Sequence, residues 1–241
     1  MHTIICKNCS KEVVKKRKIN FCTKGCATSY RQKSNDLNFM DETDDFKSYM
    51  VGMIFGDGCL SKQKEKEERI TIALKDKEEI DIIRQRISPN RKLYVNKAKE
   101  KNHSNSYAVI NTNKEAIGEL KSIGLNSKKS TYGIFPDISS LKKSAFLRGY
   151  FDANGSIYKN KVSKYLYHHI SITSGSKSFA EGLSSYLNSI GFKTKVSKDK
   201  RHNAFYIKIY SKADVLKFKE HIYNEAEIYL NRKKVLFDDI V

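Results

Sequence analysis

Four cysteines near the start of the chain have a spacing that suits a metal site. Cys6 and Cys9 form a C-x2-C pair, and after twelve residues Cys22 and Cys26 form a C-x3-C pair. Two such pairs can place four thiolates tetrahedrally around Zn²⁺, which leaves no coordination position open for catalysis. Two disulfides are the alternative, but the N-terminus lacks an apolar signal segment, so we expect a reducing cytosolic setting. We therefore predict a structural zinc site, with the fifth cysteine, Cys59, as a buried structural thiol.

The segment that carries these cysteines is too polar to fold by itself. It contains the basic run Lys15–Lys18, so the metal must supply the folding free energy of a small module. Its ending, Phe21–Tyr30, resembles the small zinc knuckles of phage and mobile-element proteins. Residues 1–35 carry nine Lys or Arg and one Glu, a net charge of +8, and we expect them to touch phosphates. Residues 36–46 then carry five acids and no cation, which indicates a linker and a helix N-cap.

A second pair of chemically suggestive positions comes from an internal repeat. The segment Tyr49–Gly58, YMVGMIFGDG, is echoed 97 residues later by Phe146–Gly155, FLRGYFDANG. If both are helices, Asp57 and Asn154 occupy equivalent positions at their carboxyl ends, and the glycine that follows each suits a left-handed cap. A carboxylate there faces the negative end of the helix dipole, and a second one nearby would add repulsion. An acid at a position that the helix dipole disfavours suggests a site that holds cations.

The two repeated helices should pack against each other. Met50–Phe55 is apolar around the whole helix circumference, which predicts burial on every side. Gly52 and Gly56 lie four residues apart on one face, as do Gly149 and Ala153. Small residues at this spacing let two helices approach backbone to backbone, so the ends that carry Asp57 and Asn154 should meet.

The elements downstream of the two motifs also repeat. Each motif helix is followed by strand, strand, helix, strand, strand and helix, which gives two αββαββα units joined near residues 126–136. We therefore predict an α+β fold of two pseudo-symmetric halves, with domain boundaries at 1–35, 36–45, 46–131 and 132–241. The predicted elements are strands 59–64, 69–75, 92–97 and 106–112 with helices 77–87 and 114–123 in the first half, and strands 156–162, 168–174, 193–198 and 204–210 with helices 177–190 and 212–223 in the second.

The strands alternate between apolar and polar residues, as half-buried strands do. Ile70, Ile72 and Leu74 should face the helices, which leaves a basic, hydroxyl-bearing and aromatic face outside. Such a mixture suits base edges and phosphates in a groove, although an ordinary solvated sheet face would also be polar. The candidate DNA-contacting residues are Ser61, Gln63, Arg69, Thr71, Lys75, Tyr158, Asn160, His169, Ser171, Thr173, Tyr206, Lys208 and Tyr210.

The paired motifs resemble those of single-chain LAGLIDADG homing endonucleases, over roughly residues 46–235. The resemblance implies two halves whose sheets form a saddle over the DNA major groove, with the motif helices at the interface. It also implies Mg²⁺ at the two scissile phosphates, bound by Asp57 and Asn154 and by the carbonyls of Gly56 and Ala153. That arrangement suits two-metal phosphodiester hydrolysis, and hard cations prefer oxygen ligands.

The second motif departs from the family pattern. Asn154 is an amide where the family has an acid, so it keeps a carbonyl oxygen but lacks the charge that anchors a divalent ion. Asp152 lies two residues earlier, on a different face of the helix, and we do not expect it to substitute. The sequence therefore predicts DNA binding with poor cleavage, or cleavage of one strand.

Composition supports a polyanionic partner. The 241 residues carry 46 Lys or Arg and 27 Asp or Glu, a net charge of +19, with a pI near 9.6. Such an excess favours nucleic acid over a small anionic metabolite, and no apolar run approaches the roughly 18 residues of a membrane span. We expect a monomer on double-stranded DNA in the cytoplasm, or in the nucleus or an organelle of a eukaryotic host. A non-cleaving DNA-binding regulator and an RNA-binding intron maturase of the same fold are the alternatives.

Overall fold

The computed structural model describes most of the chain. The described residues are 1–17, 19–63, 67–98, 104–162, 165–199, 202, 204–238 and 240. For residues 31–35, 63, 160–162, 165 and 166 the description covers the backbone but not the side chains. Within this part the protein is α+β, with antiparallel sheets and helices packed on them. No helix in the described part has the length and apolar character needed to cross a bilayer.

The N-terminal module is a hairpin followed by a helix. Strands β1 (His2–Ile5) and β2 (Glu12–Lys15) pair antiparallel, and helix α1 (Lys24–Asn35) follows. A short 3-10 turn, Phe39–Asp41, then leads into the first half. Phe39 is fully buried in the main core, so the acidic segment predicted as a linker is anchored to the body of the protein.

The two halves have the predicted order of elements. The first sheet has the strand order β3-β4-β6-β5 and the second has the equivalent order β7-β8-β10-β9. The predicted αββαββα repeat is therefore confirmed, with most boundaries within two residues. The first half contains α2 (Asp44–Gly56), β3 (Cys59–Gln63), β4 (Glu67–Leu74), α3 (Lys77–Ile87), β5 (Tyr94–Asn96), β6 (Ser106–Asn111) and α4 (Lys114–Ser122), and the second contains α6 (Lys143–Asn154), β7 (Gly155–Val162), β8 (Tyr165–Ser174), α7 (Lys177–Ser189), β9 (Lys195–Lys198), β10 (Phe205–Ile209) and α8 (Lys212–Tyr223).

Two short segments outside the repeat connect the halves. Helix α5 (Lys129–Tyr132) lies between them, and α9 (Asn231–Lys234) with the 3-10 turn Val235–Phe237 follows the last helix of the second half. The guanidinium of Arg232 in α9 contacts Asp76, which caps α3 of the first half, at 2.8 Å from both carboxylate oxygens. The C-terminal segment of the second half thus crosses to the first half.

The motif helices α2 and α6 pack backbone to backbone, as their small residues predict. A Cβ atom on Gly52 would lie 2.1 Å from the Phe146 carbonyl oxygen, and one on Gly149 would lie 2.0 Å from the Tyr49 carbonyl oxygen. Real Cβ contacts are never this short, so only glycine allows the two backbones to meet. The side chains of residues 50–55 are at most 5% exposed, which confirms that this stretch of α2 is buried on every side.

The glycines that follow the two motif helices serve a different purpose from the predicted left-handed cap. The positive-φ glycines of the described chain are Gly124 and Gly191, and Gly155 has φ −88°. A Cβ on Gly58 would lie 2.6 Å from the Ile54 Cα, and one on Gly155 would lie 2.1 Å from the Phe151 ring. The cap prediction was wrong, because space rather than backbone conformation requires glycine there.

Candidate nucleic-acid interface and metal centres

The carboxyl ends of α2 and α6 meet between the two sheets. A Cβ on Gly56 would lie 2.4 Å from the Ala153 Cβ and 3.5 Å from the Asn154 amide nitrogen. Asp57 follows as the C-cap of α2, where its backbone N–H donates to the Ile54 and Met53 carbonyls. The structure thus brings together all four residues for which a magnesium site was expected, Gly56, Asp57, Ala153 and Asn154.

The Asp57 carboxylate is placed where a cation would stabilise it. Its side chain is exposed at the surface, yet the protein around it excludes enough water to raise its pKa above the ordinary value, an effect that Lys129, Lys233 and Arg232 partly offset. Among the described residues no hydrogen bond to this carboxylate is present. Both oxygens are therefore available for a ligand, at the negative end of the α2 dipole.

Two lysines, one from each connecting segment, reach the ends of the motif helices. The Lys129 ammonium donates to the Phe55 carbonyl at 3.0 Å and to the Gly56 carbonyl. The Lys233 ammonium is buried and donates to the Gly155 carbonyl. Burial lowers the pKa of both lysines, and the nearby Asp57 carboxylate opposes that shift in each case. Each helix end therefore has its own cation, held against backbone carbonyls.

The donor atoms at this site fit one divalent ion better than two. A carboxylate and backbone carbonyls are ligands that Mg²⁺ accepts, and Asp57 with Gly56 supplies both kinds. The Gly56 carbonyl already accepts from Lys129, but a carbonyl oxygen has two lone pairs and can accept twice. On the Asn154 side the acid is replaced by a neutral amide, so the electrostatic attraction for a second ion is weaker.

Asp152 lies away from this site, as its helical position predicts. Its carboxylate is fully buried and accepts from the hydroxyls of Tyr49 and Tyr223 at 3.0 and 2.8 Å and from the Leu230 backbone N–H at 2.7 Å. Burial raises its pKa to about 6, against the effect of these three donors and the charge of Arg148. Asp152 joins α6 to α2 and to the C-terminal segment, which is a structural role.

The outward face of the first sheet carries four of the five polar residues predicted for it. Arg69 donates its Nε–H to the Ser61 hydroxyl at 3.2 Å, across the β3–β4 pair. Thr71 is half-buried beside them, and Lys75 is exposed just after β4. Gln63 lies at the end of β3, but its side chain is outside the described residues. The face is hydroxyl-bearing and basic, as expected.

The second sheet adds a row of three rings across its outward face. Tyr158 stacks on His169 with ring centroids 5.3 Å apart, and His169 stacks on Tyr210 at 5.6 Å. Burial and then the charge of Lys208 lower the pKa of His169, which favours the neutral imidazole. The Lys208 ammonium lies 5.8 Å from the Tyr206 ring centre, and the Tyr206 hydroxyl donates to Asp199. Sequence alternation placed these side chains on one face but did not predict the stack.

Three positions predicted on the second sheet are less accessible than expected or have side chains outside the described residues. Ser171 is only 3% exposed, because it sits in β8 between its partners Ser156 on β7 and Lys208 on β10, so it does not offer an accessible hydroxyl. Asn160 lies in β7, but its side chain is outside the described residues. Thr173, on the same face as Ser171, is half-buried.

The prediction for Cys59 was wrong, because its thiol is exposed. Cys59 opens β3 and pairs with Thr71, so it points to the outward face of the first sheet. Successive residues of a strand point to opposite faces, so Cys59 lies on the face opposite the buried Leu60. This alternation, rather than the apolar character of cysteine, decides its exposure.

The four N-terminal cysteines form a compact cluster. Their sulfur atoms all lie within 4.8 Å of one another, and the Sγ–Sγ distances are 3.6 Å for Cys9 and Cys22, 3.3 Å for Cys22 and Cys26, and 3.8 Å for Cys26 and Cys9. Four sulfurs about 2.3 Å from a tetrahedral zinc ion are about 3.8 Å apart. Cys6 lies in the turn after β1 and Cys26 in the first turn of α1, so the metal would join the hairpin to the helix. The donor set and spacing fit Zn²⁺.

Loss of one cluster thiol should abolish metal binding, whereas loss of the exposed thiol should not. We expect the unmodified chain and Cys59→Ser to hold about one zinc per chain, and Cys9→Ser to hold about none, because a three-thiolate site lacks the closed coordination that folds such modules. Metal analysis after gel filtration measures the content. Equal zinc in Cys9→Ser and Cys59→Ser would contradict the assignment.

Comparisons with known proteins give a consistent result for both halves. Residues 142–223 match the model of a LAGLIDADG-like domain. Residues 46–132 match the model described as the WhiA LAGLIDADG-like domain. The chain carries two LAGLIDADG domains.

An archaeal protein and several solved structures show the same relationship. The two-domain LAGLIDADG chain is 24% identical over 164 residues to an uncharacterized protein of Methanocaldococcus jannaschii, covering 66% of this chain and 60% of that relative. The homing endonuclease I-WcaI bound to its DNA recognition sequence is 20% identical with a TM-score of 0.61, over 89% of this chain and 92% of that one. The LAGLIDADG meganuclease I-AabMI bound to uncleaved DNA is 14% identical with a TM-score of 0.51, over 79% and 87%. At these identities the structures establish the fold.

Lys129 and Lys233 are the residues of this LAGLIDADG site that sequence reasoning missed. Both lie outside the repeated units and belong to a chain with 46 Lys or Arg, so neither carried a distinguishing signal. Their positions became evident only when the folded chain brought them to the helix ends.

Proposed function

We propose that this chain binds a specific double-stranded DNA site across its two sheets and hydrolyses one of the two strands. The observation that carries the proposal is the contact between the ends of α2 and α6, where Gly56, directly before Asp57, packs against Ala153 and the Asn154 amide between two equivalent sheets. The outward faces offer cations, hydroxyls and rings, which suit phosphates and base edges. The duplex-bound LAGLIDADG structures of the same fold support this placement.

The residues at the helix ends have distinct roles in this proposal. Mg²⁺, when bound, would activate water and neutralise charge on the phosphodiester. Asp57 and the Gly56 carbonyl would hold the ion. Lys129 and Lys233 place a positive charge beside each scissile phosphate, where it stabilises the negative charge that develops during hydrolysis. Asn154 can orient an oxygen ligand but supplies no charge, so only the strand served by Asp57 is cut efficiently.

The setting implied by this function is a mobile intron or a comparable element. A nuclease of this kind would act as a monomer, because one chain supplies both halves of the site. Its target must then be a single asymmetric duplex sequence, since the two sheets carry different side chains at equivalent positions.

Removal of the one acidic ligand should stop cleavage without preventing DNA binding. We expect Asp57→Asn to lower the rate of nicking by about 100-fold or more, in line with the several kcal/mol that a bound divalent ion contributes. The matched control is Asp44→Asn, at the opposite end of the same helix and exposed, which should keep the full rate. Nicking of supercoiled plasmid and duplex anisotropy measure the two properties. An unchanged nicking rate in Asp57→Asn would contradict the assigned role.

A DNA-binding regulator without nuclease activity is the second candidate function. It is favoured by the contact of the Lys129 ammonium with the Gly56 carbonyl, which places a fixed cation where a metal ligand was expected. That function predicts duplex binding with no nicking at any Mg²⁺ concentration. Competition between duplex DNA and a structured RNA in the same anisotropy assay distinguishes both functions from an RNA-binding maturase, which would prefer the RNA.

A further inference from the structure

The zinc module is fastened to one particular end of the first sheet. Asp36, directly after α1, is 1% exposed and accepts from Nε and Nη2 of Arg91 at 2.6 Å, from the Ser88 hydroxyl at 2.9 Å and from the Thr112 backbone N–H at 3.0 Å. Burial alone would raise the Asp36 pKa, but these donors hold it below the ordinary value. The end of α1 is thus locked onto the first half.

That end of the sheet is the one toward which β3 leads away from the motif-helix junction. Strand β3 starts at Cys59, two residues after Asp57, and β4 returns from Glu67. Over the length of β3 the chain travels roughly 13 to 17 Å outward. Ser29 of α1 and Glu67 line the same cleft of about 450 Å³, together with Thr112 at the outer end of β6. The module therefore lies at the outer end of the first sheet, where a duplex lying across both sheets would leave the protein.

The cations of the module face solvent. Lys7, Lys11, Lys16, Arg17 and Lys24 are exposed, and the module carries a net charge of +8. A surface of this kind attracts a polyanion. Without a bound polyanion, its cations would repel one another and the other cations of this strongly basic chain.

Four of the five acids in residues 36–46 do not neutralise this surface, because they pair with cations of the two halves. Asp36 is held by Arg91, and Glu42 pairs with Arg86 at 2.7 Å. Asp45 pairs with Lys142 at 2.9 Å and with the buried Arg148. The acidic segment thus attaches the module to the body while leaving the cations of the module available.

We propose that the zinc module is a second DNA-binding site, which contacts backbone phosphates of the duplex beyond the outer end of the first sheet. The proposal rests on DNA binding by the two sheets. Since the described second half carries no equivalent module, the protected DNA is longer on one flank than on the other. The contacts are electrostatic and independent of sequence, so they add affinity and salt dependence rather than base specificity.

The first test removes charge without touching the zinc ligands. The variant Lys7→Gln/Lys11→Gln/Lys16→Gln is compared with Lys143→Gln/Lys177→Gln/Lys212→Gln, which removes three exposed cations from the amino-terminal ends of α6, α7 and α8. The probe is a fluorescent 40-base-pair duplex of random sequence. For the module variant, the slope of log affinity against log salt should fall in magnitude by about 2 to 3, and for the control it should stay the same. Equal slopes for the two variants would overturn the proposal.

The second test locates the contact. Full-length protein selects a duplex from a random library, and hydroxyl-radical footprints are recorded for it in buffer without Mg²⁺ and without chelator. A photo-crosslinking amino acid in place of Ser61, on the outward face of β3, marks the flank under the first sheet. The unmodified chain should protect extra backbone on that flank, and the module variant, with its zinc content verified, should lose only this extension.

The outcomes separate this inference from the proposed function. A footprint of equal length on both flanks, or an extension on the unmarked flank, would overturn the inference and leave binding by the two sheets intact. An absence of any footprint in all proteins would overturn both. Because no step of the test depends on cleavage, a catalytically inactive chain gives the same readout.

Discussion

Gly149→Ala should unfold the junction of the two halves. Its new Cβ would lie 2.0 Å from the Tyr49 carbonyl oxygen and 2.8 Å from the Met53 nitrogen. Both are backbone atoms in the middle of α2, so neither can rotate away, and the helices must separate. Separation exposes a junction in which residues 50–55 are almost completely buried. We expect a loss of about 3 kcal/mol or more in the free energy of unfolding, at or above the usual cost of overpacking.

The matched control is Gly118→Ala in α4. A Cβ there meets no atom within 4 Å and the position is exposed, so alanine should stabilise the helix by about 0.5 to 1 kcal/mol. Urea titration followed by circular dichroism measures both variants. A Gly149→Ala protein as stable as the unmodified chain would show that the helices do not meet backbone to backbone.

Asp45→Ala should be nearly as damaging, through charge rather than space. Arg148 of the second motif is 0% exposed, and its guanidinium donates to the Asp45 carboxylate and to the Ile228 and Ile222 carbonyls, the latter two at 2.8 Å. Removal of Asp45 leaves a buried cation without its counter-charge. The expected cost is about 3 to 5 kcal/mol in the free energy of unfolding.

Asp44→Ala is the control for this prediction. Asp44 is the adjacent acid in the first turn of α2, but its side chain is 77% exposed, and its ion pair among the described residues is with Lys47 at the surface. Its loss should cost about 1 kcal/mol or less. The double variant Asp45→Ala/Arg148→Met should recover part of the loss, because it removes the stranded charge as well. Additive losses in the double variant would show that the two residues do not interact.

Much of this fold could be predicted because the sequence contains two copies of the same pattern of elements. The repeat has an offset of 97 residues, seen in Asp57 and Asn154, and apolar residues alternate in both β4 and β8. The two halves therefore predict the same order of elements, and this agreement is stronger evidence for the fold than the pattern of either half alone. The four cysteines were equally informative, since metal coordination demands a fixed spacing.

What could not be predicted depends on tertiary contacts. Lys129 and Lys233 lie in segments without periodicity, and they act at the helix ends only because the connecting segments fold back. The burial of Ser171 depends on the strands on either side of β8, which that strand's own alternation does not reveal. The exposure of Cys59, by contrast, follows from alternation within β3 and could have been predicted. The glycines after the motif helices looked like caps, yet packing against Ile54 and Phe151 requires them.

Cleavage of a supercoiled plasmid that carries the selected site tests the central claim most directly. The unmodified chain and Asn154→Asp are compared in Mg²⁺ at equal DNA occupancy, with product topology read on an agarose gel. If Asp57 serves one strand and Asn154 fails to serve the other, the unmodified chain yields nicked circles, and Asn154→Asp yields linear DNA. Efficient linearisation by the unmodified chain would contradict this account, because it would show that the neutral amide supports cleavage of the second strand.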